Sequence, residues 1–413
     1  LGYNDQDVQL KTDGYYIYVL ERGMGAITKY SLAGLKAGHK IWQYSVGADS
    51  SPHDIVFAHG KAYVIRYCAD SIWVINPDAA DQTSFKIGEI DISGFDTNGP
   101  PEAAMGVTYD GMLYVLLQKQ DNYTTVTQGL LLKIDTATDE IVDLDSGTDG
   151  VQGLELLVKN PQWATLLGST YYIAGKDWNT LTEGIMTVDL SDPTLPQSLL
   201  LSEEDAGMPL TGLEVFNDTT GIIYSAYFDK DWNYHTIAYI FNPGDGTVGE
   251  PLPVPSPLET DITGMAVMVG NYLYVGSRDD SAPGIYVVDP STNTLVDTVI
   301  TSGALPPISL IYLEDTTGIS KSDTVPGAFA AVVAYPNPFN QNTTINFTLR
   351  QAHVVTIDCF NTAGQKIDTI INSFLNAGNF SVLWNAVDRS SGVYYIRITD
   401  GTSDQIAKVT LVK

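Results

Sequence analysis

A histidine beside an aspartate is the first pair in this sequence that could do chemistry. His53 and Asp54 lie in the stretch SSPHD, where they open a predicted strand. If that strand lines a channel, the pair would lie near its mouth, and we assign both residues to a candidate ligand site. The alternative, which the local pattern favours, is a structural turn histidine. The other histidines do not stand at the spacing of metal ligands: His39, His59, His235 and His353.

Basic residues recur at one position of a repeated pattern. Each follows an aligned tyrosine by three to six residues, in a loop between two predicted strands. A ring of cations on one face could hold an anionic ligand or an acidic partner surface. Local ion pairs are the alternative, because acidic residues stand close by. The basic residues are Arg22, Arg66, Lys119, Lys176, Lys230 and Arg278.

Alternating aspartates suggest a calcium site. Asp143, Asp145 and Asp149 in DLDSGTDG are spaced like the oxygen ligands of a calcium loop. The stretch lacks the Asp or Asn at the fifth position and the distal Glu that such loops usually have. Calcium is therefore the one cofactor that the sequence suggests, and solvated turn carboxylates are the alternative.

Common catalytic motifs are missing from the sequence. G-x-S-x-G, H-E-x-x-H, the P-loop and C-x-x-C do not occur. Cys68 and Cys359 are too far apart to suggest a disulfide framework or a zinc site. We therefore expect no catalytic residues, and keep a ligand-binding or metal-assisted hydrolytic (lactonase-like) enzyme as the alternative. The site of that enzyme would include His53, Asp54, Arg66, Glu102 and Arg278.

Six segments with one hairpin pattern must position these residues. Each combines a short apolar strand, a tight turn such as Asp13-Gly14 or Asp110-Gly111, and a tyrosine-rich strand. A third strand ending in Asn or Asp and a more polar fourth strand usually follow. The aligned tyrosines, 45 to 58 residues apart, are Tyr18, Tyr63, Tyr114, Tyr172, Tyr224 and Tyr274.

Four antiparallel strands at a regular period predict an all-β protein with a β-propeller. A β-sandwich with evenly spaced strands is the alternative. Residues 305–315 resemble one more inner strand, so the repeat leaves open whether the propeller has six or seven blades. We place the propeller at residues 1–315 and a polar linker at residues 316–327.

Composition indicates an acidic protein that acts outside the cell. The chain has 413 residues, with 49 acidic and 21 basic side chains and a net charge of −28. This charge repels phosphate backbones and anionic membranes, so we expect no nucleic-acid partner. Apolar runs fall short of the ~18–20 residues that a membrane-spanning helix needs. The opening residues LGYNDQDVQL do not resemble a signal peptide, which we expect to have been removed.

Residues 328–413 carry a second set of motifs in a fixed order. YPNPFN at 335–340 is followed by alternating residues at 343–349, and then by a strand, a turn and Gly-Gln. Trp384 and Ser-Gly-Val-Tyr come within 376–398, and KVTLVK closes the sequence. The motif residues are Tyr335, Pro336, Asn337, Pro338, Phe339, Asn340, Gly392 and Tyr394.

This region resembles the C-terminal sorting domain of the bacterial type IX secretion system, and is similar to the Ig-like domain of flagellar-hook assembly proteins. Gln341 stands where the family usually has Pro, and Cys359-Phe360 where Ile-Tyr is usual. The resemblance implies a small Ig-like antiparallel β-sandwich that contacts the secretion machinery and directs export to the cell surface or medium. An adhesive Ig-like module without a sorting role is the alternative.

These observations together predict a secreted bacterial cell-surface protein. We expect a structural or adhesive, non-catalytic role, with self-assembly into an extracellular polymer or binding to other surface components. The 24 tyrosines support this expectation, because tyrosine is favoured at protein interfaces.

Overall fold

A computed structural model describes most of the chain. The described residues are 7–14, 16–31, 40–121, 124–125, 127–177, 180–228, 234–255, 266–279, 282–300, 307, 309–312, 329–349, 353–362, 364–375, 378–387, 389–399 and 404–413. The chain divides into two compact units, which we call the N-terminal unit (Leu1–Leu313) and the C-terminal unit (Glu314–Lys413).

Six antiparallel sheets of four or five strands form the described part of the N-terminal unit. In five of the six sheets, strands that are consecutive in sequence pair side by side. Sheet 1 contains β1 (Val8–Thr12), β2 (Tyr16–Glu21), β3 (Ala26–Ser31) and β4 (Lys40–Ser45). Sheet 2 contains β5 (Pro52–Ala58), β6 (Lys61–Arg66), β7 (Ser71–Ile75) and β8 (Lys86–Asp91), with helix α1 (Gln82–Phe85) before β8.

Sheet 3 departs from this pattern. Its strands are β9 (Ala103–Tyr109), β10 (Met112–Leu117), β13 (Gln128–Asp135), β14 (Glu140–Val142) and β15 (Leu154–Lys159). β11 (Gln120–Asp121) and β12 (Thr124–Thr125) form a separate small hairpin. β15 pairs with β13 as an additional strand. The longest tyrosine interval, from Tyr114 to Tyr172, accommodates these extra elements.

The remaining three sheets return to four strands. Sheet 4 contains β16 (Pro161–Leu167), β17 (Thr170–Gly175), β18 (Gly184–Asp189) and β19 (Gln197–Ser202), and helix α2 (Glu203–Ala206) follows it. Sheet 5 contains β20 (Gly212–Asn217), β21 (Thr220–Phe228), β22 (Tyr234–Phe241) and β23 (Val248–Pro251). Sheet 6 contains β24 (Ala266–Val269), β25 (Tyr272–Ser277), β26 (Gly284–Asp289) and β27 (Thr294–Ile300).

Turn residues explain why the first two strands of a sheet form hairpins. Asp110 and Gly111 have φ angles of 46° and 75° between β9 and β10, and His59 and Gly60 have 51° and 74° between β5 and β6. Two consecutive positive φ angles give the turn whose twist matches that of paired strands. The predicted hairpins are therefore confirmed at these turns.

Hydrophobic cores lie between consecutive sheets. Successive residues of a strand point to opposite faces, so Ile222 and Tyr224 of β21 pack with sheet 6 while Ile223 packs with sheet 4. Equivalent clusters join sheets 1 and 2, 2 and 3, and 3 and 4. The aligned tyrosines that belong to a core shared with the next sheet are Tyr18, Tyr63, Tyr114, Tyr172 and Tyr224.

The first strands of the sheets lie next to one another. β1 contacts β5, β5 contacts β9, β9 contacts β16, β16 contacts β20, and β20 contacts β24. The N-terminal unit is therefore all-β and propeller-like. In the segment predicted as a further inner strand, the described residues 307 and 309–312 contain no strand. Ile311 packs instead against Ile17 and Val19 of β2.

Two sheets form the described part of the C-terminal unit. Sheet 7 contains β28 (Phe329–Tyr335), β29 (Asn342–Leu349) and β32 (Gly378–Asn385). Sheet 8 contains β30 (His353–Asn361), β31 (Lys366–Leu375), β33 (Gly392–Thr399) and β34 (Asp404–Leu411), in the order β31-β30-β33-β34. One apolar core, with Ile345, Ile357, Trp384 and Ile396 fully or almost fully buried, joins the two sheets.

Candidate functional site

A cavity of about 270 Å³ lies among the first strands of the N-terminal unit. β1, β9, β16, β20 and β24 contribute to its wall, together with Leu310 and Ile311. Most of the lining is apolar, but Lys11 and Glu214 bring a cation and a carboxylate to it. Such a cavity can hold a small molecule that combines apolar and polar groups.

Asp54 ties three first strands together beside this cavity. Its side chain is only 1% exposed, and Oδ1 lies 2.9 Å from Nζ of Lys11 on β1. Oδ2 accepts a hydrogen bond of 3.1 Å from the backbone N–H of Gly106 on β9. Asp54 on β5 therefore binds its neighbours on both sides. Its predicted ligand role is still a prediction, and the observed contacts are those of a structural anchor.

The cavity wall contains three neighbouring polar side chains that the sequence analysis did not identify: Trp163, Glu214 and Tyr224. Burial, followed by the charge of the Glu214 carboxylate and a hydrogen bond to it, raises the pKa of Tyr224 well above its ordinary value. Nε1 of Trp163 is buried and has no hydrogen-bond partner among the described residues. An added Cβ at Gly212 would lie 3.0 Å from the Trp163 ring, so glycine lets β20 approach the indole.

His53 belongs to an aromatic stack. Its ring lies 4.3 Å from that of Tyr67, with 15° between the two planes. The Tyr67 hydroxyl donates a hydrogen bond of 2.9 Å to Oε1 of Gln118, which links sheet 2 to sheet 3. Burial and the charge of Arg22 lower the pKa of His53 well below its ordinary value. At neutral pH the imidazole is therefore uncharged, and the ligand role of His53 stays a prediction.

Two of the predicted cations are bound locally. Arg66 is 7% exposed and donates hydrogen bonds to the backbone oxygens of Ser71 and Val46, at 3.0 and 3.2 Å. Its guanidinium also lies 4.5 Å from the centre of the Trp73 ring. Arg22 forms a 3.2 Å ion pair with Asp7. These contacts match the local-pairing alternative at both residues.

The other predicted cations lie at equivalent loop positions. Lys119 is partly buried and has a positive φ of 54°. Lys176 is 2% exposed, Arg278 is partly buried, and both take part in interactions with other groups. Lys230 lies outside the described residues. An anion site formed by these cations remains a prediction.

The three aspartates of the predicted calcium loop form hydrogen bonds with other groups of the same loop. Oδ1 of Asp143 accepts hydrogen bonds from the N–H groups of Asp145 and Gln152, at 3.2 and 2.9 Å. Oδ2 of Asp145 accepts one of 2.7 Å from the Thr148 hydroxyl, which lowers the pKa of Asp145. Asp149 contributes its backbone oxygen to Gln152. No group of three His, Cys, Asp or Glu side chains suited to a metal occurs among the described residues.

A buried pair of carboxylates supports the chain between sheets 4 and 5. Glu203 is fully buried and accepts hydrogen bonds from the N–H groups of Leu210 (2.8 Å) and Glu183 (3.1 Å). Glu183 accepts one of 2.6 Å from the N–H of Lys159. Burial is the main cause that raises the pKa of Glu203 to about 7, with smaller contributions from Glu183 and Asp177.

Glu102, one residue of the alternative enzyme site, bonds to the backbone of β11. Glu102 accepts a hydrogen bond of 3.0 Å from the N–H of Gln120, has a φ of 47°, and has its pKa raised to about 7, mainly by burial. Its described contacts do not include His53, Asp54, Arg66 or Arg278. The sequence suggested these residues together as a site at the mouth of a propeller channel, and that site stays a prediction.

The YPNPFN motif is built into the C-terminal unit by its side chains. Asn337 donates to the Lys408 backbone oxygen at 2.9 Å and accepts from the Thr410 N–H at 2.8 Å, which fixes the turn to β34. Phe339 is buried against Trp384. The Tyr394 hydroxyl donates to the Ser390 oxygen at 2.7 Å. Pro336, Pro338 and Asn340 are exposed, Tyr335 ends β28, and Gly392 begins β33.

This arrangement agrees with a sequence comparison. Residues 333–413 match the family model described as the secretion system C-terminal sorting domain. The C-terminal unit carries a type IX sorting domain. A chain with this domain is a secreted protein of the cell surface, and the sorting domain implies contact with the secretion machinery. The described residues contain no helix with the length and apolarity that crossing a membrane requires.

Comparisons of the whole chain add information on the fold alone. No curated protein matches the sequence. Kuenenia stuttgartiensis hydrazine synthase is similar over 73% of this chain and 87% of its own, at 14% identity and a TM-score of 0.52. PorZ is a surface component of the type IX secretion system of Porphyromonas gingivalis. The similarity extends over 98% of this chain and 51% of PorZ, at 13% identity and a TM-score of 0.43.

Proposed function

We propose that this protein is a non-catalytic structural or adhesive component of the bacterial surface that assembles with further copies of itself. The sorting domain at 333–413 supports export. The non-catalytic role is supported by the structural contacts of Asp54 and Arg66. Both are buried and bonded within the N-terminal unit, so the residues best suited to chemistry hold sheets together.

Within this proposal the N-terminal unit is a six-bladed propeller. Five cores join consecutive sheets, and residues of both β1 and β24 line the same cavity, as closure of a ring requires. Leu310 and Ile311 lie in that cavity wall. The C-terminal unit, with two antiparallel sheets around one core, is proposed to be an Ig-like sandwich.

Deletion of the gene in the source bacterium tests the structural or adhesive role. We expect the mutant cells to lose adhesion to surfaces or the integrity of their outer layer, and complementation with the full chain to restore it. Growth on individual nutrients should not change. A mutant that fails to use one nutrient, with normal adhesion and a normal surface, would contradict the proposal and favour an enzyme.

Ligand binding in the cavity is a second candidate function. The specific observation is that Lys11 and Glu214 bring opposite charges to a mainly apolar cavity of about 270 Å³. Native mass spectrometry of protein taken from the medium tests this candidate. A stoichiometric small molecule that is lost in a Glu214→Gln variant would support it, and native protein at its bare sequence mass would contradict it.

A further inference from the structure

One face of sheet 8 points away from the core and carries most of the basic residues described in the C-terminal unit. Tyr394, Ile396 and Ile398 of β33 are buried, so the alternate residues Tyr395 and Arg397 lie on the opposite side. We call this side the basic face. Its residues, from β30, β31, β33 and β34, are Phe360, Lys366, Tyr395, Arg397, Ile406 and Lys408.

The cations of the basic face outnumber its carboxylates. Asp358 is 4% exposed and lies 3.4 Å from Nζ of Lys366 and 3.5 Å from Nη2 of Arg397. The Thr369 hydroxyl also donates to it, at 2.7 Å. Lys408 is exposed and is paired in register with Tyr395. Strand alternation also places Asp404, which pairs with Thr399, on this face. Three cations against two carboxylates leave the face with a surplus of one positive charge.

Apolar groups accompany these charges. Ile406 is 61% exposed and lies opposite Arg397, and Tyr395 is 38% exposed. The Arg397 guanidinium lies 5.2 Å from the centre of the Phe360 ring. Tyr and Arg are enriched in protein interfaces and among the residues that contribute most of the binding energy. The composition of this face therefore suits a protein partner.

The charge of the chain is divided unequally between its two units. Residues 1–313 contain 41 acidic and 14 basic side chains, for a net charge of −27, and residues 314–413 contain 8 and 7, for a net charge of −1. The two values add up to the −28 of the whole chain. Two N-terminal units therefore repel each other, whereas the basic face attracts an N-terminal unit.

We propose that the basic face docks onto the acidic N-terminal unit of a second copy of this chain. Such a contact uses different surfaces on the two partners, and repeating it yields an open filament when the rotation does not close. This inference rests on the proposed function, because it names the contact through which the surface component would assemble.

Sedimentation velocity of the full chain over a range of concentrations tests this contact. We expect association that strengthens with concentration and is lost between about 0.05 M and about 1 M salt, where the screening length falls to about 3 Å. Lys408→Glu should weaken association about tenfold by opposing an acidic partner. The matched control is Lys413→Glu, which makes the same charge change outside the basic face. Ile406→Asp removes the exposed apolar group and should also weaken association.

Circular dichroism of each variant shows whether its fold is intact. A chain that stays monomeric at low salt, or equal losses in the Lys408 and Lys413 variants, would overturn the inference. Assemblies that form from the native protein and are indifferent to Lys408→Glu would also overturn it, while leaving the proposed structural role intact.

Discussion

At the scale of single residues, buried polar groups connect strands that are distant in sequence. Asp54 reaches Lys11 and Gly106, and Glu203 reaches Glu183 and Leu210. The sequence marked Asp54 because it stands beside a histidine. It gave no sign of the glutamate pair, because partners 20 residues apart in a repeat of variable length form no recognisable motif.

Replacing Asp54 with Asn should destabilise the N-terminal unit. Asn keeps the shape but removes the charge that faces Lys11, and we expect a loss of about 2 kcal/mol in the free energy of unfolding. Asp218→Asn, at an exposed carboxylate, is the control and should change stability by less than about 0.5 kcal/mol. Urea unfolding followed by circular dichroism measures both, and equal effects would contradict the anchor role of Asp54.

Glu203 should make stability depend on pH. Its pKa rises from 4.5 to about 7 on folding, so between these values the folded state holds a proton that the unfolded state has released. Its contribution to stability is therefore fully present below pH 4.5 and falls as pH rises towards 7, by about 1.4 kcal/mol per pH unit.

The Glu203→Gln variant isolates this effect because Gln resembles the protonated carboxyl. Its unfolding free energy should lose the Glu203 slope between pH 5 and 7, whereas the exposed Glu204→Gln control should keep it. Urea titrations at several pH values measure the slope. A Glu203→Gln variant with the same pH dependence as the parent would show that Glu203 does not titrate in this range.

At the scale of elements, three sheets are joined to the next sheet at one equivalent turn. Nζ of Lys29 and Nε1 of Trp42 donate to the Pro77 oxygen, just after β7. The Tyr63 hydroxyl donates to the Thr136 oxygen after β13. The Tyr172 hydroxyl reaches the Pro243 oxygen after β22 at 3.5 Å. Residues of one sheet thus satisfy the turn between the third and fourth strands of its neighbour.

Tyr63→Phe should loosen the contact between sheets 2 and 3. The single hydroxyl proton is shared between the Asp139 carboxylate at 2.6 Å and the Thr136 oxygen at 3.1 Å. Its loss should cost about 1–2 kcal/mol of unfolding free energy. Tyr114→Phe is the matched control, because that hydroxyl has no hydrogen-bond partner among the described residues. A Tyr114 variant as unstable as the Tyr63 variant would contradict the role of the hydroxyl.

Most elements of the N-terminal unit could be predicted, because hairpin turns and alternating strands are local signals. Each of the aligned tyrosines lies on the second strand of its sheet. β15 was missed, since LELLVK extends a sheet that already had four predicted strands. Tertiary pairing with β13 decides its structure. The cavity was also not predictable in detail, because it depends on how five first strands come together.

At the scale of the whole molecule, the two main features are the sorting domain and the unequal distribution of charge. Residues 333–413 match a secretion system sorting domain, and almost all of the excess negative charge lies in residues 1–313. The sequence alone supported both observations, because motif order and charge need no tertiary structure. The register of sheet 8 was needed to show that its cations share one face.

The central claim, a surface component that assembles with itself, is tested most directly by negative-stain electron microscopy of the native protein. The protein should be taken from the cell surface or medium at low salt and imaged without further concentration. We expect regular filaments or sheets with one repeating unit. Dispersed single particles in every field, at the concentration found on the cell surface, would contradict the claim.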